Sequence, residues 1–277
     1  MARIILIGGD RRSLYLSDFL SRKGYLTYGF AQSPGEPLTL LWDALQKPYV
    51  AVILPLPATK DGVHVHTPLW DGALPFASLQ GRLRPGAAVL GGQLPNSLSE
   101  QLLAKGVPYT DYYDEQVIVR NADLTAKGVM RVLGEHTDRP PDTLRFVVTG
   151  FGRVAKATVR ELQAHGGKVL VAARSTLALR AAAESGADTV PLCTFLEKPA
   201  DFDVLVNTVP ATLFDAAVLS KTPKDALLID VASAPFGLDF EAAAACGLQA
   251  IKAQSLPGKY FPEAAAQILG EKIQSLL

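Results

Sequence analysis

The sequence predicts an α/β fold of two Rossmann-like, doubly wound parallel-sheet domains that are joined by a long helix, with a cleft between them. Three observations predict it: short β-branched runs recur along the chain, segments of helical periodicity separate them, and one run leads into a glycine-rich turn. The length of 277 residues suits just under two domains of about 150 residues each. We expect a first domain at residues 1–119 and a second, which includes the linker helix, at residues 120–277.

The first half of the chain contains five predicted strands. They are Ile4–Ile7, Tyr25–Phe30, Val50–Leu54, Ala87–Leu90 and a weaker run at Val107–Tyr109. Because these runs are apolar on both faces, they are typical of strands buried in a parallel sheet with helices on either side. Ser13–Arg22 and Leu38–Gln46 repeat apolar residues every three or four positions and predict helices.

A longer segment without strand character, from Asp114 to His136, predicts the connecting helix, with a break near Asn121. The Pro140-Pro141 pair ends it, because proline cannot continue a helix. A second series of strands follows at Arg145–Thr149, Lys168–Ala172, Thr189–Val190, Val204–Val206, Ala226–Ile229 and Gln249–Ile251. The tail, Ala264–Leu277, predicts a helix that packs back on the first domain.

The composition excludes several classes of protein. Hydrophobic residues make up 48% of the chain and charged residues 19%, which excludes wholesale disorder. Lys plus Arg and Asp plus Glu both number 27, so no net field attracts nucleic acid or an acidic membrane. No apolar run is long enough to cross a bilayer, and the Arg3–Gly8 run is too short for a signal peptide, so we expect a cytoplasmic protein. Cys193 and Cys246 have no CxxC or His companion, which predicts two reduced thiols.

The strongest motif for function is the glycine-rich turn at residues 150–155, between a predicted strand and a segment of helical composition. Gly150 allows the tight turn, Gly152 lets the main chain approach a pyrophosphate, and Ala155 is small enough for the helix to pack on the strand. The helix N-terminus adds unpaired N–H groups and a positive dipole end. The expected dinucleotide contacts in this turn are Gly150, Phe151, Gly152, Arg153 and Val154. A glycine-rich turn that binds nothing is the alternative.

The end of the next strand predicts which dinucleotide binds. An NAD site usually carries Asp or Glu there, to accept hydrogen bonds from the adenosine ribose, but this chain has Arg174 and Ser175. A guanidinium and a hydroxyl suit the ribose 2′-phosphate of NADP, which a carboxylate would repel. We therefore expect NADP as the cofactor. The alternative is that Arg174 is an ordinary solvated residue.

Polar clusters follow two later strands, at the sheet edge where open α/β sheets bind ligands. The residues expected beside the ribose and nicotinamide are Asn207, Thr208, Val209, Pro210, Asp230 and Ser233. Ordinary turn chemistry is the alternative for each, because Asn, Asp, Ser and Pro are common loop residues. Gln254–Lys259 follows the last strand, and its Gly and Pro are expected to form a main-chain rim against the nicotinamide ring.

Candidate groups for substrate chemistry are Asp10, Arg11, Arg12, Lys60, His64 and Lys259. The four cations among them suit a dicarboxylate, and the Asp and His side chains, together with His66, suit proton transfer. Arg11 and Arg12 follow the first strand beside a helix start, and a solvated basic turn is the alternative. His64 and His66 have a spacing compatible with metal binding, but no third ligand is evident, so no metal is expected.

Seven motifs occur together in order: Gly8-Gly9-Asp10-Arg11, Asn121–Gly128, Gly150–Val154, Ala173-Arg174-Ser175, Val206–Pro210, Asp230–Pro235 and Ser255–Lys259. This ordered set resembles the family of the dipicolinate synthase A subunit over nearly the whole chain. The resemblance implies an NADP-dependent enzyme of sporulating bacteria that converts 4-hydroxy-tetrahydrodipicolinate to dipicolinate (pyridine-2,6-dicarboxylate). It also implies the flavoprotein-like B subunit of dipicolinate synthase as partner. Lys127 stands where the family is expected to have Glu, which puts an acid role at that position in doubt.

Three other interpretations stay open. A shikimate-dehydrogenase-like NADP oxidoreductase shares the two-domain order and the Arg-Ser site, but its Lys and Asp pair is not identifiable here. A 2-hydroxy-acid dehydrogenase needs an Arg and a carboxylate-paired His in the second domain, where His165 lies at a predicted helix end. A dinucleotide-binding regulatory subunit without activity is the third. The sequence also leaves open whether the chain forms a homo-oligomer.

Overall fold

The computed structural model describes residues 1–277 and forms two compact units. The first unit comprises Met1–Arg120 and Phe261–Leu277, and the second comprises Asn121–Tyr260. Each unit contains one sheet in which all strands are parallel. Parallel sheets need crossover helices between successive strands, and those helices are present. The predicted fold class of two Rossmann-like domains is confirmed.

The first unit has a five-stranded sheet in the order β2-β1-β3-β4-β5. Its strands are β1 Arg3–Ile7, β2 Leu26–Phe30, β3 Ala51–Ile53, β4 Ala88–Gly91 and β5 Tyr109–Asp111. Its first four helices are α1 Arg11–Arg22, α2 Leu38–Gln46, α3 Phe76–Gln80 and α4 Asn96–Ala104. The strands are buried as predicted except at the sheet edge, where Leu26 of β2 is 53% exposed because no further strand pairs with that side of it.

Helix α5, Glu115–His136, continues from the first unit into the second, which has a six-stranded sheet. The strands are β6 Arg145–Thr149, β7 Lys168–Ala173, β8 Asp188–Pro191, β9 Val204–Asn207, β10 Leu227–Asp230 and β11 Gln249–Lys252. The helices are α6 Arg153–Ala164, α7 Thr176–Glu184, α8 Leu192–Glu197, α9 Ala216–Leu219, α10 Phe240–Ala245 and α11 Leu256–Tyr260. The order β8-β7-β6-β9-β10-β11 is that of dinucleotide-binding sheets, and it reverses between β6 and β9, where such sheets bind ligands.

Alternate residues of β6 face opposite sides of the second sheet. Phe146 and Val148 belong to one apolar cluster, and Val147 between them belongs to the other. Burial on both sides explains why the strand reads as a continuous apolar run. It also holds the carboxyl end of β6 rigidly, which positions the turn that follows.

Two predicted helices differ in detail from the structure. Helix α5 is unbroken over 22 residues, so the predicted break near Asn121 is wrong. Its neighbours Ala122 and Ala126 are buried, and this packing outweighs the weak helix propensity of Asn. The tail helix, α12, spans Pro262–Leu276 and packs against α1, where Gly270 lets the Phe19 ring approach. No helix combines the length and the apolar composition that a membrane span requires.

Candidate functional site

The glycine-rich turn of the second unit has the geometry of an anion site. Gly150 has a φ of +79°, and a β-carbon there would lie 2.9 Å from Val209 Cγ2, so glycine is required. Gly152 is the N-cap of α6, and a β-carbon there would meet no atom within 4 Å. No main-chain carbonyl accepts a hydrogen bond from the amides of Phe151 or Gly152. The turn therefore offers N–H groups and open space at a helix N-terminus, which a phosphate group requires.

The residues that follow this turn differ in their burial. Val154 packs against Ala122 of α5 and Ala157 of α6, so its side chain belongs to an apolar cluster. Ala155 is fully buried, as close packing of a helix on its strand requires. Arg153, the first residue of α6, is exposed.

A cavity of about 540 Å³ opens beside the turn, at the carboxyl ends of β6, β7 and β9. It is lined by Gly150, Phe151, Gly152, Ala173, Arg174, Ser175, Ala178, Leu192, Val209, Pro210, Ala211 and Leu213. Arg174 and Ser175 are exposed at its edge, directly before α7. Ser175 is the N-cap of α7, but its hydroxyl makes no capping hydrogen bond. The cavity thus combines an apolar lining with a guanidinium and a hydroxyl at one end.

Asn207 and Asp230 are placed differently from the sequence-based interpretation, which put both beside the nicotinamide. Both are fully buried, and Asn207 Nδ2 donates to Asp230 Oδ1 at 2.9 Å. Thr149 Oγ1 donates to Asn207 Oδ1 at 2.6 Å, which joins the ends of β6, β9 and β10. Three main-chain amides, of Ala232, Gly237 and Leu238, also donate to Asp230 at 2.8–3.0 Å. These side chains brace the loops that follow β9 and β10, and a contact of either with the nicotinamide stays a prediction.

The remaining predicted residues of this loop region lie nearer to solvent. Thr208 is half-buried, and its hydroxyl donates to the Thr149 carbonyl at 2.7 Å. Val209 and Pro210 line the cavity beside the glycine-rich turn. Ser233 is exposed in the turn after β10, where its carbonyl accepts from Phe236 N.

The segment after β11 forms the short helix α11. In α11, Pro257 and Gly258 are buried, so they offer no main-chain rim to a ligand. Lys259 is exposed, and its Nζ donates to the Tyr260 hydroxyl at 2.7 Å, which raises the pKa of Lys259. The same hydroxyl donates to Glu135 Oε2 at 2.7 Å. Lys259 is therefore held in a polar chain on its own unit.

In the first unit, Arg12 is already paired. Its Nε and Nη2 each lie 2.8 Å from an oxygen of Asp10, and Nη2 also donates to the Leu56 carbonyl at 2.6 Å. Burial alone raises the pKa of Asp10, but the hydrogen bonds and charge of Arg12 outweigh it and hold that pKa below its usual value. Asp10 is therefore held as a carboxylate by Arg12, and the roles of both residues toward a substrate stay predictions. Arg11, at the start of α1, is exposed.

The loop after β3 brings together a cation, a carboxylate and two imidazoles. Lys60, Asp61, His64 and His66 line a cavity of about 230 Å³. His64 Nδ1 lies 2.7 Å from Asp61 Oδ2. Burial, followed by the nearby charge of Lys60, lowers the pKa of His66 to about 4, so this ring is neutral near pH 7. The structure contains no group of three or more His, Cys, Asp or Glu side chains that could hold a metal ion.

Some residues of these cavities are not predicted from the sequence. Asp61 has a sequence signal, because Asp three residues before His in a loop can cap the turn and bind the ring. The apolar residues Ala178, Leu192 and Leu213 of the larger cavity have no such signal, since apolar side chains usually belong to a core.

The second unit matches a known class of domain. Residues 125–242 match the family "D-isomer specific 2-hydroxyacid dehydrogenase, NAD binding domain". This match, with the strand order and the open glycine-rich turn, defines the unit as a nicotinamide-dinucleotide-binding domain of the dehydrogenase type. Such a domain supports the conclusion that the protein is an oxidoreductase.

The first unit and the full-length comparisons resemble one particular family. Residues 3–113 match the family model for the N-terminal domain of the dipicolinate synthase A subunit. The chain is 29% identical over 285 aligned positions to the dipicolinate synthase A subunit of Bacillus subtilis (strain 168), covering 99% of this chain and 95% of the relative. The resemblance to this family is confirmed.

Two solved structures give the same result. The structure of the dipicolinate synthase A subunit from Bacillus halodurans aligns with a TM-score of 0.80 at 25% identity, over 99% of this chain and 97% of that chain. The corresponding structure from Bacillus subtilis aligns with a TM-score of 0.78 at 25% identity, over 99% of this chain and 95% of that chain.

Proposed function

We propose that this protein is an NADP-dependent oxidoreductase that converts 4-hydroxy-tetrahydrodipicolinate to dipicolinate in a sporulating bacterium. The overall change removes water, one hydride and one proton from the substrate, and leaves an aromatic pyridine ring. The single observation that supports it most is the cavity beside the glycine-rich turn, which has Arg174 and Ser175 where an NAD site carries an acid. The full-length similarity to the A subunit of dipicolinate synthase supports the choice of substrate.

The residues of the second unit fit a phosphorylated dinucleotide. The open face of Gly152 and the N-terminus of α6 suit the pyrophosphate, and the apolar lining suits the adenosine. Arg174 offers a planar donor group, and Ser175 a hydroxyl not used in capping, for the 2′-phosphate. The bound nicotinamide supplies the acceptor for the hydride that leaves the substrate. The protein then has to orient the substrate, bind its two carboxylates and move protons.

The substrate carboxylates require exposed cations. Arg11 and Lys60 of the first unit are exposed and have no acidic partner within ion-pair distance. We assign them to the dicarboxylate in preference to Arg12, which pairs with Asp10, and to Lys259, which donates a hydrogen bond to Tyr260. The flavoprotein-like B subunit of the synthase completes the proposal as the partner, because the relatives are named as the A subunit of a larger enzyme.

The choice of NADP is tested by Arg174→Ala. Loss of a hydrogen bond to a charged group costs about 1.5–3 kcal/mol, which corresponds to roughly a 10- to 150-fold weaker Kd for NADP. NAD has no 2′-phosphate, so its Kd stays near that of the unmodified protein. Arg180→Ala, which removes an exposed cation from α7, the helix that follows Arg174, is the matched control and leaves both affinities unchanged. Equal weakening of NADP and NAD by Arg174→Ala, measured by calorimetric titration, would refute the assignment.

The reaction is tested by supplying the hydroxy-tetrahydrodipicolinate and NADP to the full-length protein, with and without the B subunit. We expect NADPH absorbance and dipicolinate to increase together in equal amounts. Oxidation of shikimate instead would favour a shikimate-dehydrogenase-like enzyme. Tight binding of NADP without turnover of either substrate, even with the B subunit present, would favour a regulatory role.

A further inference from the structure

The loop after β3 holds one carboxylate whose two oxygens have different partners. Asp61 Oδ1 accepts hydrogen bonds from the main-chain amides of Val63 and His64, both at 2.8 Å, and from the Thr59 hydroxyl at 3.1 Å. Asp61 Oδ2 lies 2.7 Å from His64 Nδ1. One oxygen therefore caps the loop, and the other contacts only the imidazole among the hydrogen-bonding groups of the protein.

These contacts determine the tautomer of His64. Hydrogen bonds from the His64 main chain and ring, and then from Val63, hold the pKa of Asp61 well below its usual range. A carboxylate can only accept a hydrogen bond, so the proton of the neutral His64 ring lies on Nδ1 and the lone pair lies on Nε2. In acid–base sites a carboxylate commonly orients the ring of the base in this way.

The other titratable groups nearby are not bases oriented by a carboxylate. His66 lines the same cavity, but its low pKa makes it a weak base that holds no extra proton near pH 7. Lys60 contributes a positive charge to the cavity and suits a carboxylate of the substrate. Asp10 is occupied by Arg12. His64 is 40% exposed, so its ring is accessible to a ligand in the cavity.

We propose that His64 Nε2 is the proton-transfer atom for loss of the substrate hydroxyl as water, and that Asp61 is the positioning residue that keeps Nε2 unprotonated and fixes the ring. His64 Nε2 takes a proton from a ring carbon of the substrate, and the C–H electron pair forms a ring double bond as the C–O bond breaks. The same proton passes from His64 to the departing hydroxyl, which leaves as water. This step is a net dehydration without an oxidant, and it rests on the proposed function.

The test begins with the tautomer of His64, measured by ¹⁵N NMR of the full-length protein at a pH where the ring is neutral. We expect Nδ1–H in the unmodified protein. In Asp61→Asn the side-chain oxygen can still cap the loop, but an amide N–H then faces the ring, so we expect Nε2–H. Asp18→Asn changes another exposed carboxylate, on α1, and leaves the His64 tautomer unchanged. Nε2–H in the unmodified protein would overturn the proposal.

Kinetic measurements then distinguish a positioning role of Asp61 from a purely structural role in the loop. His64→Gln should lower kcat about 10²–10⁴-fold, which is the range of general acid–base catalysis. Asp61→Asn should lower kcat at least about tenfold with KM little changed, because a wrong tautomer removes the base and not the binding site. If Asp61 acts through His64, Asp61→Asn causes no further loss in the His64→Gln background. The same fold-loss in both backgrounds would show a purely structural role and refute the proposal.

Failure of the proposed function gives a different result from failure of this inference. If the unmodified protein turns over no hydroxy-tetrahydrodipicolinate with the B subunit present, the proposed reaction is wrong, and the catalytic assignment of His64 is wrong with it. If turnover occurs and the tautomer is Nε2–H, the reaction stands and only the roles of Asp61 and His64 are wrong.

Discussion

Replacing Asp230 with Ala should destabilise the second unit more than any other single change to a carboxylate there. Asp230 ends β10 and is 0% exposed. Its oxygens accept from Asn207 Nδ2 and from three main-chain amides, at 2.8–3.0 Å. In Asp230→Ala all four donors lose this acceptor, and the residues that carry them are buried.

The magnitude follows from these four contacts. A buried donor left without a partner costs about 1–3 kcal/mol, so the simple sum is about 4–12 kcal/mol. Water can enter the space left by a carboxylate and satisfy some of the donors, which favours the lower end of that range. We therefore expect about 4 kcal/mol of lost unfolding free energy, and a Tm lower by roughly 8–16 °C at the usual 2–4 °C per kcal/mol.

Asp239→Ala is the matched control. Asp239 also caps a helix, but it is exposed, and its side chain accepts one hydrogen bond, from the main-chain N–H of Ala242 at 2.9 Å. Loss of such an N-cap costs about 1 kcal/mol. The assay is urea unfolding followed by circular dichroism, with calorimetry to separate the transitions of the two units. The reasoning fails if Asp230→Ala is no more destabilising than Asp239→Ala.

Two further predictions concern the stability of each unit. Burial raises the pKa of Asp203, but hydrogen bonds from Arg145 and Arg139 outweigh this and lower it from 3.8 to about 2, so Asp203 stabilises the fold above about pH 4 and loses that effect as the pH falls toward 2. Asp203→Asn should therefore flatten the decline of Tm between pH 4 and 2, and an unchanged profile would contradict this. Gly8→Ala should cost about 1–3 kcal/mol more than Gly35→Ala in urea unfolding, because a β-carbon on Gly8 would lie 2.7 Å from a main-chain carbonyl oxygen, whereas at Gly35, with a similar positive φ, it would meet nothing. Equal costs would refute the steric argument.

The fold can be predicted from the sequence because its signals are local. Buried parallel strands are apolar on both faces, and the helices between them repeat every three or four residues, so the pattern predicts α2 at its observed bounds of Leu38–Gln46. The break predicted near Asn121 is wrong because propensity is a weak signal compared with packing. The small, buried residues Ala122 and Ala126 beyond it keep the helix continuous.

The candidate site can be predicted only where the main chain determines it. The glycine-rich turn and Arg174 follow from a strand end and a spacing, and in the structure both line the cavity of the second unit. The roles of Asn207 and Asp230 do not follow, because the same polar residues at a strand end either contact a ligand or brace a loop. Burial decides between these roles, and burial depends on residues distant in the sequence, such as the loop that carries Gly237 and Leu238.

The two glycine-rich turns differ in the space that they leave for a phosphate group. In each unit the first glycine after the first strand donates to the end of the neighbouring strand: Gly8 N to the Phe30 carbonyl, and Gly150 N to the Ala172 carbonyl. The turns differ at the residue after this glycine. Gly9 N donates to the His66 carbonyl at 2.8 Å, and a β-carbon on Gly9 would lie 1.9 Å from Ser13 Oγ, so main chain and side chains already fill the space that a phosphate would need. The segment that closes the first turn is the one that carries His64 and His66, so titratable side chains lie beside the closed turn of the first unit.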